Sequence, residues 1–354
     1  MSDMEQQFSG TMAVREQHRF DVARLERYLN EHIEGFRGPL EVEQFKGGQS
    51  CPTYRLGAGG KHYVLRRKPP GKLLPSAHAV EREYKVISAL QGSAVPVPKS
   101  YLLCEDESIV GTAFYVMSWV AGRIFWDPLL PELSPGERFA VYDDMNRVLA
   151  ELHKVDAAKV GLAEFGRPGN YFARQIGRWW KQYKASETER IEELERLAVW
   201  LPENIPPGEE TGVVHGDYRL DNMIFDAHAP RVVAVLDWEL ATLGHPLGDF
   251  TYNLLGWRIG GDLFRGVAGA DLARLGLPSE SQYIEAYCRR TGRPGIAHLD
   301  WYMGYNMFRL ACILQGIMGR ALDGTAASQH AIEQGKRARP MAEAAWRQVE
   351  KLVR

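Results

Sequence analysis

An α+β chain of two lobes is what three features of this 354-residue sequence predict. Short β-type runs fill the stretch up to Val120, helical periodicity takes over from Pro135, and a strand–loop–strand unit from Val213 to Asp237 is set into the helical part. Residues 1–20 read as a flexible tail, 21–120 as the first lobe and 121–354 as the second.

The elements follow in order. Asp21 to Ile33 places Val22, Leu25, Leu29 and Ile33 at helical spacing, which predicts a short amphipathic helix ahead of the first strand. Leu40 to Phe45 alternates apolar and polar, Lys46 to Pro52 is a loop with glycines, Thr53 to Leu56 resumes a strand, and the turn Gly57 to Gly60 leads into His62 to Arg66. A three-strand antiparallel meander results. A helix over Ala77 to Leu90 comes next, and after Pro96 and Pro98 two more strands run over Lys99 to Cys104 and Ala113 to Val120. Ala121-Gly122-Arg123 is then a natural crossing between lobes. The second lobe reads as helices over Phe139 to His153, Tyr171 to Tyr183, Glu187 to Trp200, Ser279 to Arg290, Asp300 to Gly319 and Ala326 to Val353, with no internal repeat.

Composition narrows the class. Hydrophobic residues at 45% and charged residues at 25% are ordinary for a globular chain, and a net charge of −2 gives no reason to expect nucleic acid or an anionic membrane. Cys51, Cys104, Cys288 and Cys312 are scattered without zinc or dithiol spacing, which fits buried thiols in a reducing compartment. The first nineteen residues lack the apolar core of a signal peptide, and the apolar segment Trp301 to Met318 is interrupted by Asn306 and Arg309. A soluble, cytoplasmic protein is expected.

Chemistry concentrates in the Val213 to Asp237 unit. An apolar strand delivers His215-Gly216-Asp217 and, after four intervening residues, Asn222, and a second apolar run, Val232 to Leu236, delivers Asp237. Phosphoryl transfer from ATP asks for this set: an aspartate to orient and deprotonate an alcohol, with an asparagine and a second aspartate for Mg2+. Asp217 is the expected base, and Asn222 and Asp237 the expected metal ligands. Upstream, Gly47-Gly48-Gln49-Ser50 could cover a triphosphate with backbone amides and a hydroxyl. The strand ending at Arg66 supplies a cation for the phosphates, and Glu83, with Ile87 and Leu90 on its own helix face, is placed to orient it. By position alone, the backbone of Ser118 and Val120 is available to an adenine ring.

These residues resemble the aminoglycoside phosphotransferases and choline-kinase-like small-molecule kinases, whose fold is protein-kinase-like. The resemblance runs from about Asp21 to Met341 and rests on His215-Gly216-Asp217 with Asn222, on Leu236-Asp237-Trp238-Glu239 and on Gly244-His245-Pro246-Leu247-Gly248-Asp249. Gly47 to Ser50, Tyr63 to Gly71 and Phe114 to Met117 are similar to the branch found fused to acyl-CoA dehydrogenases. The resemblance implies an ATP- and Mg2+-dependent phosphotransferase with an alcohol acceptor, an antiparallel-sheet nucleotide lobe, and a mostly helical lobe with the catalytic loop and substrate site. His215 and Asp249 are implied as buried braces of that loop. Two departures matter. The usual lysine at the end of the third strand is Arg66, with Arg67 and Lys68 nearby, so which cation meets the phosphates stays open. Gly216 replaces the arginine that protein kinases use to read a phosphorylated activation loop, and no Ala-Pro-Glu follows Asp237, so a peptide platform is not expected.

Charge bears on the acceptor. From Met223 onward there are 13 acidic against 15 basic residues, whereas a site for polycationic aminoglycosides should be acidic. Arg174, Arg178 and Lys181 make a basic stripe that could meet a coenzyme A ester, and Asn306 with Arg309 could contact a carboxylate or thioester. The resemblance to the dehydrogenase-fused branch implies the hydroxyl of a hydroxyacyl-CoA or a related anionic metabolite as acceptor, with a functional link to an acyl-CoA dehydrogenase, and the charge balance agrees with an anionic acceptor. The alternatives are an antibiotic phosphotransferase and, from another class, a nucleotide-binding pseudokinase scaffold.

Overall fold

The computed structural model describes residues 10–47, 51–71, 78–324 and 330–353. Two compact units emerge: the first combines the described residues up to Trp126 with Leu220–Ala241, and the second combines Asp127–Arg219 with the described residues from Thr242. This differs from the break expected at residue 120, because Leu220–Ala241 belongs with the sheet-bearing unit.

In the first unit, strands β1 (Thr11–Met12), β2 (Glu41–Phe45), β3 (Thr53–Ala58), β4 (Lys61–Arg67), β5 (Ser100–Cys104) and β6 (Phe114–Ser118) form one sheet in the order β1-β2-β3-β4-β6-β5. The β2-β3-β4 meander is antiparallel, as the alternation and the Gly59-Gly60 turn require. The flexible-tail reading of residues 1–20 is corrected at Thr11 and Met12, which pair with Phe45 and Gln44 and so extend the sheet edge. Residues 1–9 lie outside the described residues. Helix α1 (Val22–His32), capped by Asp21 accepting from the Arg24 amide at 3.0 Å, buries Leu25 and Leu29 with Tyr54, Leu56, Leu65, Phe114 and Val116. Helix α2 (Val80–Leu90) buries Val80, Glu83, Val86, Ile87 and Leu90. It starts later than Ala77, which itself falls outside the described residues. Strands β8 (Met223–Phe225) and β9 (Val232–Val235) make a separate antiparallel pair in the same unit.

In the second unit, strand β7 (Gly212–Val214) pairs with β10 (Thr242–Gly244). The strand–loop–strand unit expected over Val213 to Asp237 is therefore split: its first strand and its last two belong to different sheets. Helix α3 (Pro135–His153) begins four residues earlier than its apolar pattern, because Ser134 and Glu137 form a capping box and Pro135 occupies the first helical turn. Helix α4 spans Tyr171–Ala185 and α5 Glu192–Glu203. The expected helix from Glu187 is delayed because the Tyr183 hydroxyl takes the Ile191 amide and donates to the Glu189 carbonyl, which holds the segment as a loop. Helices α6 (Pro246–Leu254), α7 (Glu280–Thr291), α8 (Leu299–Leu322) and α9 (Ala338–Glu350) follow. The helix expected over Ala326 to Val353 is interrupted: a short turn at Ala331–Gly335 precedes α9, and residues 325–329 lie outside the described residues. Helix α8 is buried along most of its length, and no described helix is long and apolar enough to cross a membrane.

Candidate functional site

The first unit gathers one cation and three carboxylates. Consecutive strand residues point to opposite faces, so β4 sends Arg66 and Arg67 to opposite sides of the sheet. The Arg67 guanidinium donates to the Tyr54 hydroxyl at 3.1 Å and to the His18 and Val110 carbonyls. Arg66 faces α2: its Nε lies 3.0 Å from Glu83 Oε2, its Nη2 2.7 Å from Asp237 Oδ1 and 3.8 Å from Glu239 Oε2. Lys68 pairs with Glu81 at 2.9 Å. Of the three cations considered from the sequence, Arg66 is the one held against Glu83 and Asp237. Tyr115 donates to Glu83 at 3.1 Å. Burial pushes the Glu83 carboxyl up to about 7, against the pull of Arg66 and with a push from the Asp237 and Glu239 charges.

Asp237 and Asn222 sit at one end of the β8–β9 pair. Met223 is opposite Val235, and the Leu236 amide donates to the Asn222 carbonyl at 2.8 Å. Asp237 has φ 64 and ψ 60, a left-handed conformation uncommon outside glycine that aspartate tolerates better than most residues. Glu239 lies in the following single turn, Trp238–Leu240, which the buried Trp238 indole anchors by donating to the Val235 carbonyl at 3.0 Å.

The second unit carries Asp217. Gly216 takes φ 83, where a side chain would be strained, and so turns the chain out of β7. The Asp249 carboxylate receives the His215 amide at 2.7 Å and the Gly216 amide at 2.8 Å, and the Asp217 amide donates to His215 Nδ1 at 3.1 Å. Burial would raise the Asp249 carboxyl, but the His153 imidazole at 3.3 Å, together with the His215 ring and amide, holds it below the ordinary value. Asp217 itself is gripped twice: the Tyr252 hydroxyl donates to Oδ1 at 2.6 Å, and Arg219 Nη2 donates to Oδ2 at 3.0 Å. Burial and the Asp217 charge push the Tyr252 hydroxyl up, so it stays a donor. Sequence reasoning missed Tyr252, Arg219 and Glu239. Tyr252 stands three residues after Asp249 on one helical face, a spacing that could have pointed to it.

Other expectations fare differently. Gly47 is described, but Gly48, Gln49 and Ser50 lie outside the described residues. The Ser118 amide donates to the Lys99 carbonyl at 2.8 Å, so that N–H is already used within the first unit; Val120 lies two residues beyond β6. On α4, Arg174 donates to the Arg167 carbonyl, Arg178 lies over the Trp179 ring at 5.3 Å, and Lys181 is exposed. Asn306 is corrected: wholly buried, it donates to the Gly248 carbonyl at 3.0 Å and Thr251 Oγ1 at 2.9 Å, which makes it a core tie between α8 and α6. Arg309 is likewise buried, donates to the Gly216 carbonyl, and lies 4.7 Å from the Tyr252 ring centroid. It supports the Asp217 loop from behind.

A family model described as "Phosphotransferase enzyme family" matches residues 41–302. Acyl-CoA dehydrogenase family member 10 of Mus musculus is 46% identical over 311 residues, which cover 87% of this chain and 29% of that protein. Family member 11 of Rattus norvegicus is 42% identical over 340 residues, covering 94% of this chain and 44% of that protein. The chain thus spans less than half the length of these curated relatives. A solved Ralstonia eutropha structure, provisionally described as an aminoglycoside phosphotransferase, is 55% identical with a TM-score of 0.86, covering 94% of this chain and 99% of that one. A thermostable mutant of the aminoglycoside phosphotransferase APH(4)-Ia, solved with ADP and hygromycin B, shares the fold at 19% identity and a TM-score of 0.55, covering 91% and 98%. With the two-lobed α+β fold, the Asp217 loop and these matches together, the chain belongs to the phosphotransferase enzyme family.

Proposed function

We propose that this phosphotransferase uses ATP and Mg2+ to phosphorylate the hydroxyl of an anionic small molecule, a hydroxyacyl-CoA ester being the class favoured. The observation that carries the reading is the Asp217 carboxylate, held by Tyr252 at 2.6 Å and Arg219 at 3.0 Å on a loop that Asp249 braces. A carboxylate fixed in this way can orient an acceptor hydroxyl and take its proton as the oxygen attacks the γ-phosphorus. The bond from that phosphorus to the β,γ-bridging oxygen breaks, and ADP leaves with the electron pair.

Arg66, kept cationic by Glu83 and Asp237, is assigned to the α- and β-phosphates, and Glu83 fixes its direction. Asn222 and Asp237 are assigned to Mg2+, and Glu239 joins them as a further oxygen donor. An all-oxygen set with two carboxylates suits a hard cation. Bound there, the ion would neutralise phosphate charge as it shifts to the leaving oxygen. The ADP found with APH(4)-Ia supports nucleotide use in this fold.

For the acceptor, support comes from the names of the dehydrogenase relatives and from a second half that is not acidic. Arg174, Arg178 and Lys181 on α4 are assigned to the CoA phosphates. The test is ADP release with MgATP against hydroxyacyl-CoA esters, free hydroxy acids, choline, homoserine and aminoglycosides. Turnover of the CoA esters that falls by at least about 10²-fold in Asp217→Asn, with ATP binding retained, is expected. Turnover confined to aminoglycosides would favour the antibiotic-kinase reading. Unchanged turnover in the variant would remove Asp217 as the base.

A further inference from the structure

Three side chains distant in sequence meet beside the Arg66 cluster. Cys51 lies just ahead of β3, His78 just ahead of α2, and Glu239 in the turn after β9, all within the first unit. Their sulfur, ring-nitrogen and carboxylate atoms lie within 4.8 Å of one another, and Cys51 Sγ is 3.7 Å from His78 Nδ1. For sulfur and nitrogen ligands of one tetrahedral Zn2+, bond lengths of about 2.3 and 2.05 Å imply a separation of roughly 3.6 Å. The pair is already spaced as such ligands are.

Each position is fixed locally. The Thr53 hydroxyl donates to the Cys51 carbonyl at 3.0 Å, His78 holds a left-handed φ of 56, and Glu239 lies 3.8 Å from the Arg66 guanidinium. Cys51 is fully buried, whereas His78 and Glu239 are partly exposed, so an ion has a route of entry.

We propose that Cys51, His78 and Glu239 form a zinc site, sharing only Glu239 with the group assigned to magnesium, through which a soft divalent metal restrains the nucleotide half of the enzyme. Donor chemistry sets the selectivity. Thiolate and imidazole favour Zn2+ over Mg2+, which prefers oxygen alone, and three protein ligands leave a fourth position for water. On binding, the Cys51 S–H gives its proton to solvent as the S–Zn bond forms; nothing is oxidised or reduced. Drawing Glu239 onto zinc takes it from the group assigned to magnesium and adds positive charge next to Arg66. Only this regulatory half rests on the function proposed above.

The test uses the full chain without nucleotide, reduced and metal-free, titrated with Co2+ as a spectroscopic substitute and then with Zn2+. One equivalent with a thiolate-to-cobalt charge-transfer band, displaced by zinc, is expected. Cys51→Ser should abolish the band, and His78→Ala should weaken binding by about 10-fold or more, while Cys104→Ser leaves both unchanged. Matching thermal melts would show that the variants are folded. A wild-type titration without the band, or a band that persists in Cys51→Ser, would overturn the site. Repeating the zinc titration with MgATP should lower apparent zinc affinity; equal affinities would overturn the restraint on nucleotide.

Discussion

Asp217 has its direction set by neighbours that are not themselves expected to bind substrate. Tyr252→Phe removes one hydrogen bond to an ionised carboxylate, worth about 1.5 kcal/mol, so kcat should drop roughly tenfold while KM for ATP holds, as initial-rate kinetics will show. Arg66 presents the opposite case, a cation among carboxylates of which Glu83 is fully buried. Arg66→Met would leave that carboxyl without its cation, so that it takes up a proton at neutral pH, and a loss of about 1–3 kcal/mol in urea unfolding is expected. The Glu83 carboxyl, raised from 4.5 to about 7 by burial, gives a pH signature. Between those values the folded chain holds a proton that the unfolded chain has released, so stability falls as pH rises through this window and then levels off. Glu83→Gln should remove that slope in denaturant titrations across the same range. Asp217, Asn222, Asp237, Arg66 and Glu83 could be proposed from the sequence because charge at strand ends and loop motifs is a local pattern. Tyr252 and the meeting of Cys51 with His78 could not, since their contacts join residues that only folding brings together.

At the level of elements, periodicity located the helices and strands, and capping decided where they begin. Ser134 with Glu137 starts α3 ahead of its apolar face, and the hydrogen bonds of Tyr183 delay α5. Pairing partners were less legible than the strands themselves. Val213 and Val214 are apolar enough for either sheet, and only the turn at Gly216 and the bond to β10 decide which. Packing between α8 and α9 makes its own prediction. Gly304 faces Val349, and a methyl added there would collide with its Cγ1. Gly304→Ala should cost about 1–3 kcal/mol, and adding Val349→Ala should recover part of it; a double-mutant cycle in urea measures the coupling.

For the molecule as a whole, charge balance speaks to substrate. With basic residues exceeding acidic ones after Met223, expression in a sensitive host should leave aminoglycoside susceptibility unchanged, as minimum inhibitory concentrations would record. Two lobes were readable from strands preceding helices, but the membership of Leu220–Ala241 was not, because it depends on long-range contacts such as the Arg123 amide to the Phe225 carbonyl at 2.8 Å. That insertion governs the order of assembly during synthesis. The first unit cannot be completed when Trp126 leaves the ribosome; it must wait until Ala241 emerges, by which time all of the second unit's first segment, Asp127–Arg219, is already exposed. A truncated product ending near Trp126 would carry an unfinished first unit, a natural substrate for chaperones, and the gene could not be split there into two independently folding pieces.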